Sequence, residues 1–186
     1  QEFAESVTLN LATAEEVARL LPARPRDAHK GTFGKAMIVA GSANYTGAPY
    51  LAAAAAARVG AGLVTLAVPA SIRNVVAASL HEATFLPLME SDGGIAGDEA
   101  QTIRAALEDY RALLIGPGLG RSAGAVECVR RLLQSDGLPT VVIDADGLNA
   151  LADLERWWER IPRGSVLTPH VGEFARLSGL SREAIE

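Results

Sequence analysis

The chain carries a series of short apolar runs in which hydrophobic residues do not alternate with polar ones. They are "KAMIVAG" from Lys35, "LVTLAVP" from Leu63, "RALLIGPG" from Arg111, "PTVVIDADG" from Pro139 and "SVLTP" from Ser165, with a weaker run, "EATFLPL", from Glu82. A strand with one wet face alternates, whereas a strand covered on both faces reads as continuous apolar sequence. Between the runs lie helix formers: "GAPYLAAAAAARVGAG" with Pro49 in its first turn, "SIRNVVAASL", "GDEAQTIRAALEDY", "SAGAVECVRRLLQS" and "LNALADLERW". Strand and helix in regular succession predict an α/β fold. We expect a mostly parallel sheet with right-handed crossovers and helices on both faces, a three-layer α/β/α sandwich.

At 186 residues the chain has room for one substantial core. Apolar residues make up 49% and charged residues 21%, as in an ordinary globular protein. A net charge of −5 gives no basic footprint, so nucleic acid and membrane surfaces are not expected partners. The longest apolar stretch, Leu51 to Ala57, is far too short to span a bilayer. A lone Cys128 excludes an internal disulfide and fits a reducing compartment, and no signal-peptide pattern opens the chain. The expected location is the cytoplasm.

Residues 1–28 read as a connector with a short helix. In "TAEEVARLLP" Thr13 serves as N-cap, Glu15 and Glu16 supply acids to the first turn, and Pro22 is the stop. The following "PARPRDAHKG" is polar, proline-punctuated and extended. Residues 29–186 then form the domain. Ser181 reads as an N-cap with barely one turn before Glu186, so we expect a C-terminally truncated α/β pattern. An open sheet edge there would favour a homo-oligomer.

Ligands of open α/β sheets bind outside the carboxyl ends of the strands, and four such ends carry unusual chemistry. In "VAGSANYTGAPYLAA", Gly41, Ser42 and Asn44 make a turn, and Gly47 and Ala48 allow close approach to a helix start whose free N–H groups favour an anion. In "LLIGPGLGRSAG", Gly118 to Ala123 fits the relaxed G-x-G-x-x-G/A fingerprint, although Pro117 removes a donor and a plain tight turn fits equally well. In "VVIDADGLNAL", Asp144 and Asp146 could bind a metal, orient a hydroxyl or move a proton, or one could cap the next helix. We expect one aspartate to be structural and one to face the cleft. In "LTPHVGEFARL", Thr168 and Pro169 read as N-cap and first helical residue, which puts His170 in the first turn as a neutral imidazole with one donor. His170 and Glu173 lack a second histidine at zinc spacing, and no metal site is expected. His81 reads as structural and Cys128 as core.

Taken together, "HKGTFGKAMIVAGSANYTGA", "GPGLG", "DADGLNAL" and "TPHVGEFARL", in that order from Asp27 to Leu180, resemble the NAD(P)H-hydrate dehydratase family. The resemblance implies a ribokinase-like fold and repair of hydrated NADH and NADPH with ADP or ATP and Mg²⁺. In that chemistry the ring hydroxyl is phosphorylated and phosphate, a far better leaving group than hydroxide, departs. It also implies that Ala48, Gly118 and His170 contact the hydrated dinucleotide, while Asn44, Gly116, Gly120, Asp144 and Asn149 shape the same cleft. It adds little for Asp146 or Glu173. "LLPARPRDAHKG" resembles the junction of bifunctional versions, in which an NAD(P)H-hydrate epimerase domain lies upstream.

The family's catalytic aspartate lies in a Gly-x-Gly-Asp segment after the "TPH" helix, and the 186 residues hold none there. The look-alike "GGIAGDEA" has Ala96 for the second glycine, so Asp98 reads as a helix cap. Three other readings compete: a ribokinase-like kinase releasing a stable phosphoester, a non-catalytic nucleotide-binding half-domain, and a true NAD-dependent dehydrogenase. The last needs a fingerprint loop near the first strand, which is missing. The expectation is that the 186-residue chain alone is inactive. ADP-dependent recovery of NADH absorbance at a rate comparable with a longer chain would contradict it.

Overall fold

The computed structural model describes residues 11–185. A short helix α1 (Ala14–Leu20) precedes β1 (Lys35–Val39), α2 (Gly47–Val59), β2 (Leu63–Pro69), α3 (Ala70–Ala77) and β3 (Thr84–Leu88). A hairpin of β4 (Glu90–Ser91) and β5 (Gly94–Ile95) leads into α4 (Glu99–Ala106), β6 (Tyr110–Ile115), α5 (Ala123–Leu133) and β7 (Thr140–Ile143). The last elements are α6 (Asp146–Ala152), β8 (Val166–Leu167) and α7 (Val171–Ser178), with single 3-10 turns at Trp157–Glu159 and Arg182–Ala184.

The continuous apolar runs pair in parallel, in the order β3-β2-β1-β6-β7-β8. Successive residues of β1 point to opposite faces, and both faces are dry. Met37 and Val39 join the core under α4, α5 and α6 with Ile103, Leu132, Ile143 and Leu148. Ile38 and Ala40 join the core under α2 and α3 with Ala53, Leu66, Ile72 and Val76. Each fully buried Leu or Ile contributes about 1.5–3 kcal/mol relative to exposure. The three layers expected from the sequence are therefore present. Among the described residues, no helix is long and apolar enough to cross a membrane.

Local signals hold in detail at α1, where the Thr13 hydroxyl accepts from Glu16 N–H and the Glu16 carboxylate accepts from Thr13 N–H. That helix buries none of its residues. The connector is fixed further on, where the Arg24 guanidinium donates to the Val59 carbonyl at 2.6 Å and lies 4.5 Å from the Phe33 ring centroid. Gly60, with φ 97°, ends α2 beneath it, and a Cβ there would stand 1.7 Å from Arg24 Nη2.

The β4–β5 hairpin follows "EATFLPL", where the sequence reading assigns no element, and turns at Asp92 (φ 52°) and Gly93 (φ 75°), the two-residue turn that an Asp-Gly pair favours. One sequence expectation changes. Asp98 occupies the N-cap position of α4 but caps nothing; its carboxylate pairs with Arg131 on α5 instead.

Glu127 accepts hydrogen bonds from Arg130 and Arg131, and these hold its carboxyl down at about 2. Cys128 is buried, and desolvation pushes its thiol up to about 12, so it is core and not nucleophile. Because the folded value of Glu127 lies below its ordinary 4.5, its ion pairs stabilise the fold above about pH 4.5 and fade as pH falls through 2. The difference in Tm between the wild type and Glu127→Gln should therefore shrink across that window. A constant difference from pH 7 to pH 2 would contradict the pairing.

Candidate functional site

The strand order reverses between β1 and β6, so the crevice of this sheet lies where their following loops diverge. Those loops are the first two motifs of the sequence. Gly41 N–H donates to the Pro117 carbonyl at 2.9 Å, and Gly116 N–H donates to the Val39 carbonyl at 3.1 Å. A Cβ on Gly118 would stand 2.8 Å from the Ala48 Cβ and 2.9 Å from the Tyr45 Cβ. The missing side chain of Gly118 lets the glycine turn settle on Tyr45 and Ala48 at the start of α2. Thr46, at the N-cap of α2, makes no side-chain cap hydrogen bond, so no hydroxyl competes for the first N–H groups of that helix. Asn44 is exposed on the same loop.

Gly116 is held from the other side. Its φ is 130°, and a Cβ would lie 1.8 Å from the Asp144 carbonyl oxygen and 2.7 Å from Gly147 N. The turn after β7 is therefore stacked directly on the turn after β6. Between Asp144 and Asp146 stands Ala145 with φ 47° and ψ −117°, a conformation costing roughly 1–3 kcal/mol in a residue with a side chain. It sends the two carboxylates apart. Asp144 accepts from the Thr168 hydroxyl at 2.8 Å, at the end of β8. Asp146 accepts from Gly120 N–H at 2.9 Å and from Asn149 Nδ2 at 3.2 Å. Neither aspartate caps α6, contrary to one alternative from the sequence; Ala145 holds that position with no side-chain cap.

The start of α7 also differs from the expectation. Thr168 and Pro169 precede the helix, and His170 itself is the N-cap. Its Nδ1 accepts from Gly172 N–H at 3.0 Å and from Glu173 N–H at 3.4 Å, while a Glu173 carboxylate oxygen accepts from His170 N–H at 3.0 Å. With Nδ1 engaged as acceptor, the neutral ring carries its proton on Nε2, which lies 3.3 Å from Glu173 Oε1. The imidazole is 66% exposed and the Glu173 side chain 8%, so only the histidine is open to a ligand. Thr168 does not cap the helix because its hydroxyl donates to Asp144 instead.

The sheet thus gathers Gly116, Gly118 and Gly120 with Ala48, Asp144 and Asn149, and sets His170 two residues past Thr168. Of the two aspartates the sequence offers, Asp146 has both oxygens engaged and is the structural one, while Asp144 keeps one oxygen without a hydrogen-bond partner among the described residues. Sequence reasoning missed two contributors: Arg176, which donates to the side-chain amide oxygen Oδ1 of Asn149, and the hairpin. The Gly93 carbonyl accepts from Ala43 N–H at 3.1 Å, and a Cβ on Gly94 would lie 2.6 Å from Ser122 Oγ. Asp92-Gly93 was the signal that could have found it.

A concavity of about 580 Å³ opens at the opposite end of the strands, among Arg104, Glu108, Tyr110 and Leu138. None of the candidate residues lines it. Among the described residues, no group of three or more His, Cys, Asp or Glu stands together as a metal site. Asp146 spends both oxygens on Gly120 and Asn149, and Asp144 alone keeps an oxygen beside the one that accepts from Thr168, so these two carboxylates do not by themselves make a Mg²⁺ cage.

The family model for NAD(P)H-hydrate dehydratase matches residues 36–185. The chain belongs to that family. A bifunctional NAD(P)H-hydrate repair enzyme of Salinibacter ruber is 45% identical over 161 residues, 85% of this chain and 30% of the relative. An ADP-dependent (S)-NAD(P)H-hydrate dehydratase of Lactiplantibacillus plantarum is 36% identical, over 91% of this chain and 57% of the relative. The ADP/ATP-dependent NAD(P)H-hydrate dehydratase of Bacillus subtilis, solved with ATP/Mg²⁺, superposes with a TM-score of 0.69 at 34% identity. That match covers 92% of this chain and 56% of the other. A ribokinase-like superfamily protein of Enterococcus faecalis superposes with a TM-score of 0.74 at 25% identity, covering 95% of this chain and 61% of the other. The sandwich is therefore ribokinase-like, and the chain spans about a third to three-fifths of these dehydratase relatives and neighbours.

Replacing Gly116 with alanine forces the two turns apart and should destabilise the fold by about 2–4 kcal/mol in denaturant unfolding. His170→Ala should cost about 1 kcal/mol through loss of the cap, and His170→Ser should recover most of it. Equal stability of Gly116→Ala and wild type would disprove the stacked-turn geometry.

Proposed function

We propose that this dehydratase-family chain binds the hydrated nicotinamide dinucleotide in the β1/β6 crevice, as part of ADP- or ATP-dependent repair of hydrated NADH and NADPH. The observation that carries the reading is the seating of Gly118 on Ala48 at the point of strand reversal, with His170 at the end of β8. Main chain free of bulky side chains gives an extended ligand close approach. The uncapped start of α2 favours its phosphates, and His170 offers an exposed Nε2–H to a polar atom of the ligand. Asn44, Gly116, Gly120, Asp144 and Asn149 shape the walls.

The reaction class follows from the chemistry of the substrate. A ring hydroxyl leaves poorly as hydroxide. Transfer of the nucleotide's terminal phosphoryl group to that oxygen converts it to a phosphoester, whose C–O bond breaks with loss of phosphate and of a ring proton, restoring the double bond. Mg²⁺ bound to the nucleotide phosphates would screen the charge of the transferring group. The bifunctional relatives and the connector support an epimerase domain as partner upstream. The edge strand β3 supports self-association, and turnover of reduced cofactors favours the cytoplasm.

Calorimetric titration tests the reading. Hydrated NADPH should bind, and His170→Ser, which keeps the helix cap, should weaken it about tenfold, the worth of one charge-independent hydrogen bond at ~1.4 kcal/mol. No heat with the hydrated dinucleotide, or unchanged affinity in His170→Ser, would sink it.

A further inference from the structure

We propose that Asp146 is a positioning residue that couples the glycine turn after β6 to the helix bearing His170, so that both sides of the crevice are held as one body. Its binding readout rests on the dinucleotide reading above; its structural readout does not.

The glycine turn needs such a restraint. Gly116, Gly118 and Gly120 all have positive φ, at 130°, 66° and 74°, and glycine loses more conformational freedom on ordering than any other residue. Gly116 N–H and Leu119 N–H are held by main-chain carbonyls, of Val39 and Gly116. Gly120 N–H is held by the Asp146 carboxylate, a charge-assisted bond. The turn is thus pinned at its far end by a side chain from a different strand–helix unit.

Asp146 is itself aimed by its surroundings. The positive φ of Ala145 turns it away from Asp144 and towards the glycine turn. Asn149 Nδ2, one helical turn along α6, occupies the second carboxylate oxygen. The other end of the same amide, Asn149 Oδ1, accepts from Arg176 in the last turn of α7, and α7 starts from His170. Gly120, Asp146, Asn149 and Arg176 therefore form a continuous hydrogen-bonded chain from the β6 turn to α7. With both oxygens engaged, Asp146 acts through Gly120 and not on the ligand. Arg176 lies two links from the glycine turn and is exposed, so its removal perturbs the chain without opening the core.

The experiment measures amide hydrogen exchange by NMR and hydrated-NADPH binding by calorimetry on the wild type, Asp146→Ala, Arg176→Ala and the double variant. Asp146→Ala should speed exchange at Gly120 at least about tenfold while Gly41 and Gly116, held by main chain, stay within about twofold. Arg176→Ala should speed Gly120 about threefold from a distance, and the double variant should be no faster than Asp146→Ala, since members of one chain do not add. Dissociation constants should follow the same pattern, about tenfold, threefold and tenfold weaker. Multiplicative effects near thirtyfold, or no response of Gly120 to Arg176→Ala, would overturn the coupling. Altered exchange with unchanged binding in Asp146→Ala would overturn its role at the ligand. If the wild type fails to bind hydrated NADPH, the dinucleotide reading fails while the exchange data still decide the coupling. Should Asp146→Ala not fold, Asp146→Asn keeps the volume but sets an amide against Asn149. Arg176→Ala should then have no further effect on Gly120, and an additional effect would count against the coupling.

Discussion

At Gly116 the turn after β6 passes beneath the carbonyl of Asp144 with no room for a single methyl group. The rest of the crevice depends on that approach. With the β6 and β7 turns stacked, Gly120 comes within hydrogen-bonding reach of Asp146, and Gly118 is delivered onto Ala48. A side chain at Gly116 would lift the glycine turn off its neighbour and separate these contacts together. Glycine here is a requirement of packing between two strand ends, independent of any ligand.

Polar groups at the strand ends divide into those that hold the architecture and those left open. One oxygen of Asp144, both oxygens of Asp146, the Asn149 side chain and the Nδ1 of His170 are committed to internal partners. Facing outward are the main chain of the glycine turn and of the start of α2, with Asn44 and Tyr45 exposed on the loop after β1. A wall of that kind recognises shape and fixed dipoles more than side-chain chemistry.

Much of this was legible in the sequence. The non-alternating runs at Lys35, Leu63, Arg111 and Pro139 dictated a parallel sheet with two dry faces, and each became a strand. Ala48, Gly118 and the other glycines of "GPGLG" came together because strand ends in such a sheet share one edge. Other features were hidden for identifiable reasons. The β4 and β5 strands are two residues each, too short to show a period, though Asp92-Gly93 announces their turn. Asp98 sits at a helix start, where caps are common, but Arg131 across the α4–α5 interface outcompetes the cap. Asp146 and Arg176 meet Gly120 and Asn149 across 26 and 27 residues of sequence, and no local pattern encodes such a meeting. His170 displaced Thr168 as N-cap because the threonine hydroxyl has a carboxylate within reach.

The clamp of Arg24 on the last carbonyl of α2 has a consequence for the crevice. Helix α2 has 13 residues, and at 1.5 Å per residue its two ends lie about 20 Å apart. One end meets the glycine turn, and the other receives the connector. Arg24 is therefore moored at the amino end of the strands, on the far side of the sheet's length from the glycine turn. The contact that fixes the connector and the contacts that shape the crevice sit at opposite ends of one rigid helix, so a change at one need not disturb the other.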